Sequence, residues 1–277
     1  MFGDERPDLS QKKPPAFITA PNARQRRRLL EAPPAASSPA SEVDLAETIE
    51  TLVPVRQSIP NTPHMAALRR ILVVGLGNPG NEYRDTFHSV GNLVLEHLQR
   101  KFPTELSPFE SHRHGKKGVM TSIGSKYTLM QSPTFMNVTG PWLSKAYKEF
   151  LVGNKLTPAE LGLVVVHDEL EEELGVVKIL PWDRSPRGHN GVKSVHKSLS
   201  ERFDKEISPW ARVVVGIGRP ISREPEEVAS FVLGKLSRHN KAVMEEVGSI
   251  RLHQALAELE SKWGWSALGC PSKCHHP

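Results

Sequence analysis

Cysteine is almost missing from this chain. Of 277 residues only Cys270 and Cys274 are cysteines, and both lie in the last eight positions. No disulfide framework can hold the core, and a reducing compartment fits that usage. A core thiol nucleophile is excluded as well. No apolar run approaches the ~18 residues of a membrane span, and no secretory apolar region is present, so no membrane is expected. Neither sign of charge dominates, with 36 Lys and Arg against 31 Asp and Glu, a net +5. That balance admits an anionic partner, including nucleic acid, without requiring one. There is no G-x-S-x-G elbow, no H-E-x-x-H and no comparable metal spacing, so neither a serine nucleophile nor a metal is expected.

The chain divides by composition. Residues 1–68 are rich in Pro, Ala, Ser and charge, as in APPAASSPASE from Ala32 to Glu42. Such a stretch cannot bury a core and reads as a disordered extension. Arg24, Arg26, Arg27 and Arg28 form a basic knot in it. A targeting role is left open, because residues 9–30 lack acids whereas Asp4, Glu5 and Asp8 precede them. Met65, just before the folded part, is a second candidate start, and cytoplasmic and mitochondrial locations both stay open. Residues 69–265 read as one globular domain, and residues 266–277 as a flexible tail. In that tail Cys270, Cys274, His275 and His276 suggest no more than loose polar chain.

Within the domain, Ile71–Val74, Leu163–Val166, 175–180 and 212–218 read as strands. Gly118–Met130 reads as a hairpin around Gly124-Ser125, with His112 and His114 in a basic loop before it. Helices are expected from near Thr86, from Pro141 as a first residue, after Gly188-His189-Asn190-Gly191, over 226–233 and over 240–263. Leu143, Ala146, Tyr147, Phe150 and Leu151 form one apolar stripe, and Val243, Val247, Ile250, Leu256 and Leu259 another. Thr157-Pro158-Ala159-Glu160 is a capping box. Strands alternating with helices predict an α/β fold, a mixed twisted sheet with helices on both faces.

The string Gly75-Leu76-Gly77-Asn78-Pro79-Gly80 matches the dinucleotide-binding pattern, but its context does not. In a dinucleotide site the third glycine already lies in a helix, and an acidic residue ends a second strand about 20 residues on. Here Asn78-Pro79-Gly80-Asn81 is turn chemistry, and Glu96 sits in a helical pattern. The other reading makes the loop a scaffold that aims Asn78 from the strand end and His88 from the first turn of a helix. The positive end of that helix would lower the His88 pKa and keep it neutral, as suits a general base. Taken alone, a surface histidine and a turn asparagine are the simpler reading of these residues.

Open α/β sheets place their sites beyond the carboxyl ends of strands. The polar residues there are Asn78, His88, Asn137, Asp168 and Asn190. One His, one Asp and three Asn suit a hydrolase that activates water. The neutral imidazole takes a proton, the carboxylate fixes its tautomer, and amides donate to a developing oxyanion.

The strings VVGLGNPGNEYRDTFHSVG, PTFMNVTG, VVHDEL, RGHNGVKS, VVVGIGRP and FVLGKL, in this order over roughly residues 69–262, resemble the bacterial-type peptidyl-tRNA hydrolase family. The resemblance implies a monomeric α/β enzyme without a cofactor. Such an enzyme cleaves the ester joining a peptide to the terminal ribose of tRNA. It further implies His88 as general base and Asp168 as its hydrogen-bond partner. Asn78 would position substrate or water, Asn137 the peptide backbone and oxyanion, and Asn190 the water or carbonyl. Tyr83 would line the place of the tRNA 3′ end, and Phe135 and Met136 the peptide groove.

The chain departs from the family in two places. Phe87-His88-Ser89 stands where bacterial members have Arg-His-Asn. Pro181-Trp182-Asp183-Arg184-Ser185-Pro186-Arg187 replaces a glycine-rich loop and would be stiffer. Of the family's phosphate-binding lysines only Lys178 matches, so Arg184, Arg187 and Arg219 are candidates to share that role with it. The competing function is a non-catalytic RNA-binding relative that acts through protein partners in organellar splicing. It would not depend on His88.

Overall fold

The computed structural model describes residues 69–114, 116–204 and 207–264. The readings for the extension, for its arginine knot and Met65, and for the tail with its Cys and His residues fall outside them.

Strand β1 (Arg70–Gly75) is followed by a 3-10 turn at Phe87–Ser89 and helix α1 (Val90–Lys101). Next come β2 (Glu110–His114), β3 (Lys117–Ile123) and β4 (Tyr127–Gln131), then a 3-10 turn at Met136–Val138 and α2 (Thr139–Asn154). The chain continues through β5 (Leu161–Glu169), β6 (Val177–Pro181), α3 (Asn190–Ser200) and β7 (Trp210–Gly216). It closes with α4 (Pro225–Leu233), α5 (Arg238–Val243), a π turn at Met244–Gly248 and α6 (Ser249–Lys262).

The seven strands form one sheet in the order β2-β3-β4-β1-β5-β7-β6. The four central strands are parallel, and antiparallel pairs close both edges. Alternation along β1 shows why both faces need helices. Ile71 and Val73 join Val164, Val166, Val213 and Val215 beneath α1 and α6. Leu72 and Val74 face the other way, with Leu163 and Val165 beneath α2 and α3. The fold is therefore the α/β mixed sheet that the sequence predicts. Among the described residues no helix is long and apolar enough to cross a membrane.

Two glycines set the geometry where β1 hands over to α1. Gly80 takes φ +104 in a turn that precedes the start of α1 at Val90 by ten residues. That turn is what separates this loop from a dinucleotide site. Gly91, in the first turn of α1, lies so close to the sheet that a Cβ there would sit 2.4 Å from the Val166 carbonyl oxygen. The helix thus begins directly above the ends of β1 and β5.

Three expectations need correction. His112 and His114 belong to strand β2, not to a loop. The strand pairs antiparallel with β3 through its backbone and is mostly exposed, so it carries no apolar period to read. Pro141 is the third residue of α2, because the 3-10 turn at Met136–Val138 starts the helix two residues earlier. The helix read over 240–263 is broken by the π turn, which shifts the buried face. Ile250 is 44% exposed, while Leu252 is fully buried.

Candidate active site

Asp168 lies one residue before the end of β5, inside the strand rather than after it, and only 4% of it is exposed. His88 occupies the middle of the 3-10 turn that leads into α1. Its neighbours in that turn are buried. The Phe87 ring stacks on Phe231 with centroids 4.7 Å apart, and the Ser89 hydroxyl lies 3.2 Å from that of Thr86. The two positions that depart from the family pattern are thus packed inward, and of the three residues His88 alone keeps some exposure, 15% of its side chain.

His88 Nδ1 lies 2.9 Å from Asp168 Oδ1. A third residue meets the same oxygen: His189 Nε2 is 3.0 Å from it. Sequence reasoning placed His189 only in the loop before α3. In the structure it is the N-cap of α3, and its Nδ1 accepts the Val192 N–H at 3.3 Å. That bond fixes the tautomer. With the lone pair on Nδ1, the His189 proton is on Nε2 and is donated to Asp168. A carboxylate oxygen only accepts, so His88 donates from Nδ1, which leaves its Nε2 with a free lone pair. The signal in the sequence was a histidine directly ahead of an amphipathic helix, yet histidine is not among the usual capping residues.

The electrostatics follow from these bonds. Burial would raise the Asp168 carboxyl, but the charges and hydrogen bonds of His88 and His189 outweigh it and hold the pKa well below the usual carboxylate range. Burial would lower His88, yet the Asp168 charge and hydrogen bond win, and its pKa lies above the ordinary 6.5. The sequence predicted a lowered value from the helix start. A full charge at hydrogen-bond distance exceeds the partial charge of a helix end, and here a 3-10 turn lies between the histidine and that end.

His167 is packed, 2% exposed, with Nδ1 donating to the Asp168 carbonyl at 2.9 Å and its ring edge on His189. Burial first, then the nearby His189, lowers its pKa to about 3, so it stays neutral.

The asparagines converge less tightly. Asn78 Oδ1 accepts the Met136 N–H at 3.0 Å, which ties the loop after β1 to the turn before α2. Asn137 lies in that turn and Asn190 is the first residue of α3, both exposed. Tyr83 packs edge-on to Phe135, centroids 5.9 Å apart, and Phe135 is 50% exposed. The Met136 side chain is buried in the core, with its sulfur beneath Gly191. It supports the site from below and does not offer a free apolar wall.

The cationic candidates split. Lys178 Nζ pairs with Glu172 at 2.5 Å, and Arg219 with Glu171 at 2.9 Å. Arg184 and Arg187 are exposed on the loop entering α3, where Arg187 takes φ +44. Among the described residues, His88, Asp168 and His189 are the group whose ligand atoms could hold a metal ion, all within 4.8 Å of one another.

Comparison with known proteins adds three findings. A family model described as peptidyl-tRNA hydrolase matches residues 72–264. The peptidyl-tRNA hydrolase of Haemophilus influenzae (strain 86-028NP) is 35% identical over 176 residues, 64% of this chain and 83% of the relative. That of Kineococcus radiotolerans is 38% identical over 181 residues, 62% and 82% of the two chains. Among solved structures, a peptidyl-tRNA hydrolase from Acinetobacter baumannii aligns with TM-score 0.50 and 25% identity, covering 72% of this chain and 98% of that one.

Proposed function

This chain belongs to the peptidyl-tRNA hydrolase family, and from that premise we propose that it cleaves the ester between peptide and tRNA with water activated at His88. The observation that carries the mechanism is the pair of hydrogen bonds into Asp168 Oδ1, which orients the His88 ring and leaves Nε2 as base.

The steps balance without any added group. His88 Nε2 takes a proton from water as its oxygen attacks the ester carbonyl carbon. The imidazolium that forms is stabilised by the Asp168 carboxylate. Negative charge builds on the former carbonyl oxygen, where the exposed amides of Asn137 and Asn190 donate. Asn78 acts by holding the turn that carries Asn137. Collapse breaks the carbon–oxygen bond to the ribose, and the imidazolium returns its proton to the leaving oxygen. The products are a free peptide acid and tRNA with its terminal hydroxyl restored.

In this reading residues 69–265 form the catalytic domain and act as a monomer, which sedimentation tests. Tyr83 lines the place of the 3′ end, and Phe135, packed edge-on to it, lines the peptide groove. Lys178, Arg184, Arg187 and Arg219 meet phosphates. For the two that are ion-paired, the exchange costs little, since exposed pairs contribute only about 0–1 kcal/mol.

Single-turnover hydrolysis of N-acetyl-aminoacyl-tRNA tests the proposal. The wild type should cleave, and His88→Ala should lose about 10²- to 10⁴-fold in rate. A wild type that binds tRNA without cleaving it would sink the catalytic reading in favour of an RNA-binding role.

A further inference from the structure

The turn from Gly80 to Ser89 carries both Tyr83 and His88, yet it belongs to no strand. Its internal bonds run from the N–H groups of Tyr83 and Arg84 to the Gly80 carbonyl, and from Thr86 N–H to Tyr83. Three other carbonyls, those of Asn81, Glu82 and Arg84, point to one place. Lys235 Nζ stands there and donates to them at 3.3, 2.6 and 2.6 Å.

The segment around Lys235 grips the same turn by its backbone. Thr86 and Lys235 form an isolated antiparallel bridge. Phe87 N–H donates to the Gly234 carbonyl at 3.2 Å, and Leu236 N–H to that of Asp85 at 2.8 Å. Asp85 itself takes φ +64, and its carboxylate accepts from Lys241 Nζ at 2.6 Å. A non-glycine residue persists in that conformation only where its surroundings over-determine it.

We propose that Lys235 is a positioning residue for the hydrolysis: its ammonium gathers the carbonyls of Asn81, Glu82 and Arg84 and so fixes the turn that presents His88 to Asp168. An ammonium has three N–H donors spread around one point and can serve three converging carbonyls. A guanidinium is planar and directs its donors outward in a fork, so it cannot replace the ammonium here. The activity readout of this inference rests on the proposed ester cleavage.

The test compares wild type, K235A and K235R, each checked for folding by circular dichroism. The substrate is N-acetyl-aminoacyl-tRNA, and the His88 ring is titrated by NMR in parallel. Misplacing a catalytic group by about 1 Å can cost about 100-fold, so both variants should lose about 10- to 100-fold in kcat with little change in KM. Methylammonium should restore part of the K235A rate, and tetramethylammonium, which has no N–H, should not. The His88 titration should move from above its ordinary value toward it. Full activity in K235R would show that charge alone suffices and would overturn the proposal. A loss confined to KM would make Lys235 a phosphate contact and would overturn it too. If the wild type does not cleave, the hydrolase reading fails by itself, and the NMR titration alone decides: a His88 pKa unmoved in K235A rejects the positioning role. If K235A does not fold, K235R is read by the same measurements.

Discussion

Asp168 holds two histidines with one oxygen, and the two bonds do different things. The bond to His88 raises the pKa of the proposed base, and the bond to His189 ties the carboxylate to the start of a helix. Because Asp168 keeps the His88 pKa above 6.5, kcat/KM should rise with pH through a midpoint above that value. In Asp168→Asn the charge is gone and burial remains, so the midpoint should fall below 6.5. Loss of the charge that supports the imidazolium should cost on the order of 10³- to 10⁴-fold in kcat. A pH–rate profile of both proteins checks the direction. The pairing of His88 with Asp168 could be anticipated from the sequence because both follow apolar runs. His189 could not, since what marks it is a shared acceptor 21 residues away in the chain.

His167 makes a separate prediction about stability. Its folded pKa is about 3 against an ordinary 6.5, so the unfolded chain takes up the proton first as pH falls. The contribution is fully present above 6.5 and is lost as pH drops toward 3. At pH 5 that loss should reach about 2 kcal/mol. His196, lowered to about 4 by burial first and by Arg212, acts in the same window. Melting temperatures between pH 7 and 4.5 should fall less steeply in His167→Gln than in the wild type. His88, whose pKa is raised, has the opposite sign: its contribution is present below 6.5 and is lost as pH rises through its folded value.

At the scale of elements, the handover from β1 to α1 decides whether the site exists. Gly91 allows α1 to rest on the Val166 and Leu76 carbonyl oxygens, which a Cβ would approach to 2.4 and 2.7 Å. In Gly91→Ala the helix must lift, at about 1–3 kcal/mol, and the His88 turn lifts with it, away from Asp168. Chemical denaturation should show that loss. The folded fraction should also turn over more slowly than its stability alone predicts. Elements were legible where burial imposes a period. The stripe of α2 is buried as its spacing predicts. Strand β2 and the π turn were not legible. The first is an exposed edge held by backbone bonds, and the second inserts one residue into a helical period without changing composition.

At the scale of the molecule, the proposed recognition of tRNA draws on charges that are partly occupied. To meet phosphate, Lys178 and Arg219 would have to leave Glu172 and Glu171, whereas among the described residues Arg184 and Arg187 have no acidic partner to leave. Each of Arg184→Ala and Arg187→Ala should therefore lower the slope of log affinity against log salt by about 1, and Lys178→Ala by less. Filter binding across a salt series measures this, and unchanged slopes would remove both arginines from the interface. The architecture itself could be read from the sequence because central strands buried on both faces leave continuous apolar runs. The bracing of the His88 turn could not, because the segment that bridges to it, around Lys235, comes from the far end of the domain.

That distance has a consequence for how the protein is made. Lys235 reaches back 151 residues to Arg84, and the Thr86 bridge spans a similar stretch. Long-range contacts of this kind form last, and during synthesis the amino-terminal part leaves the ribosome first. A nascent copy of this enzyme is itself a peptide esterified to tRNA. If Lys235 positions His88 as proposed, the sheet can begin to pair while that histidine is still unsupported, and hydrolysis should begin only when the segment around Lys235 has emerged and docked.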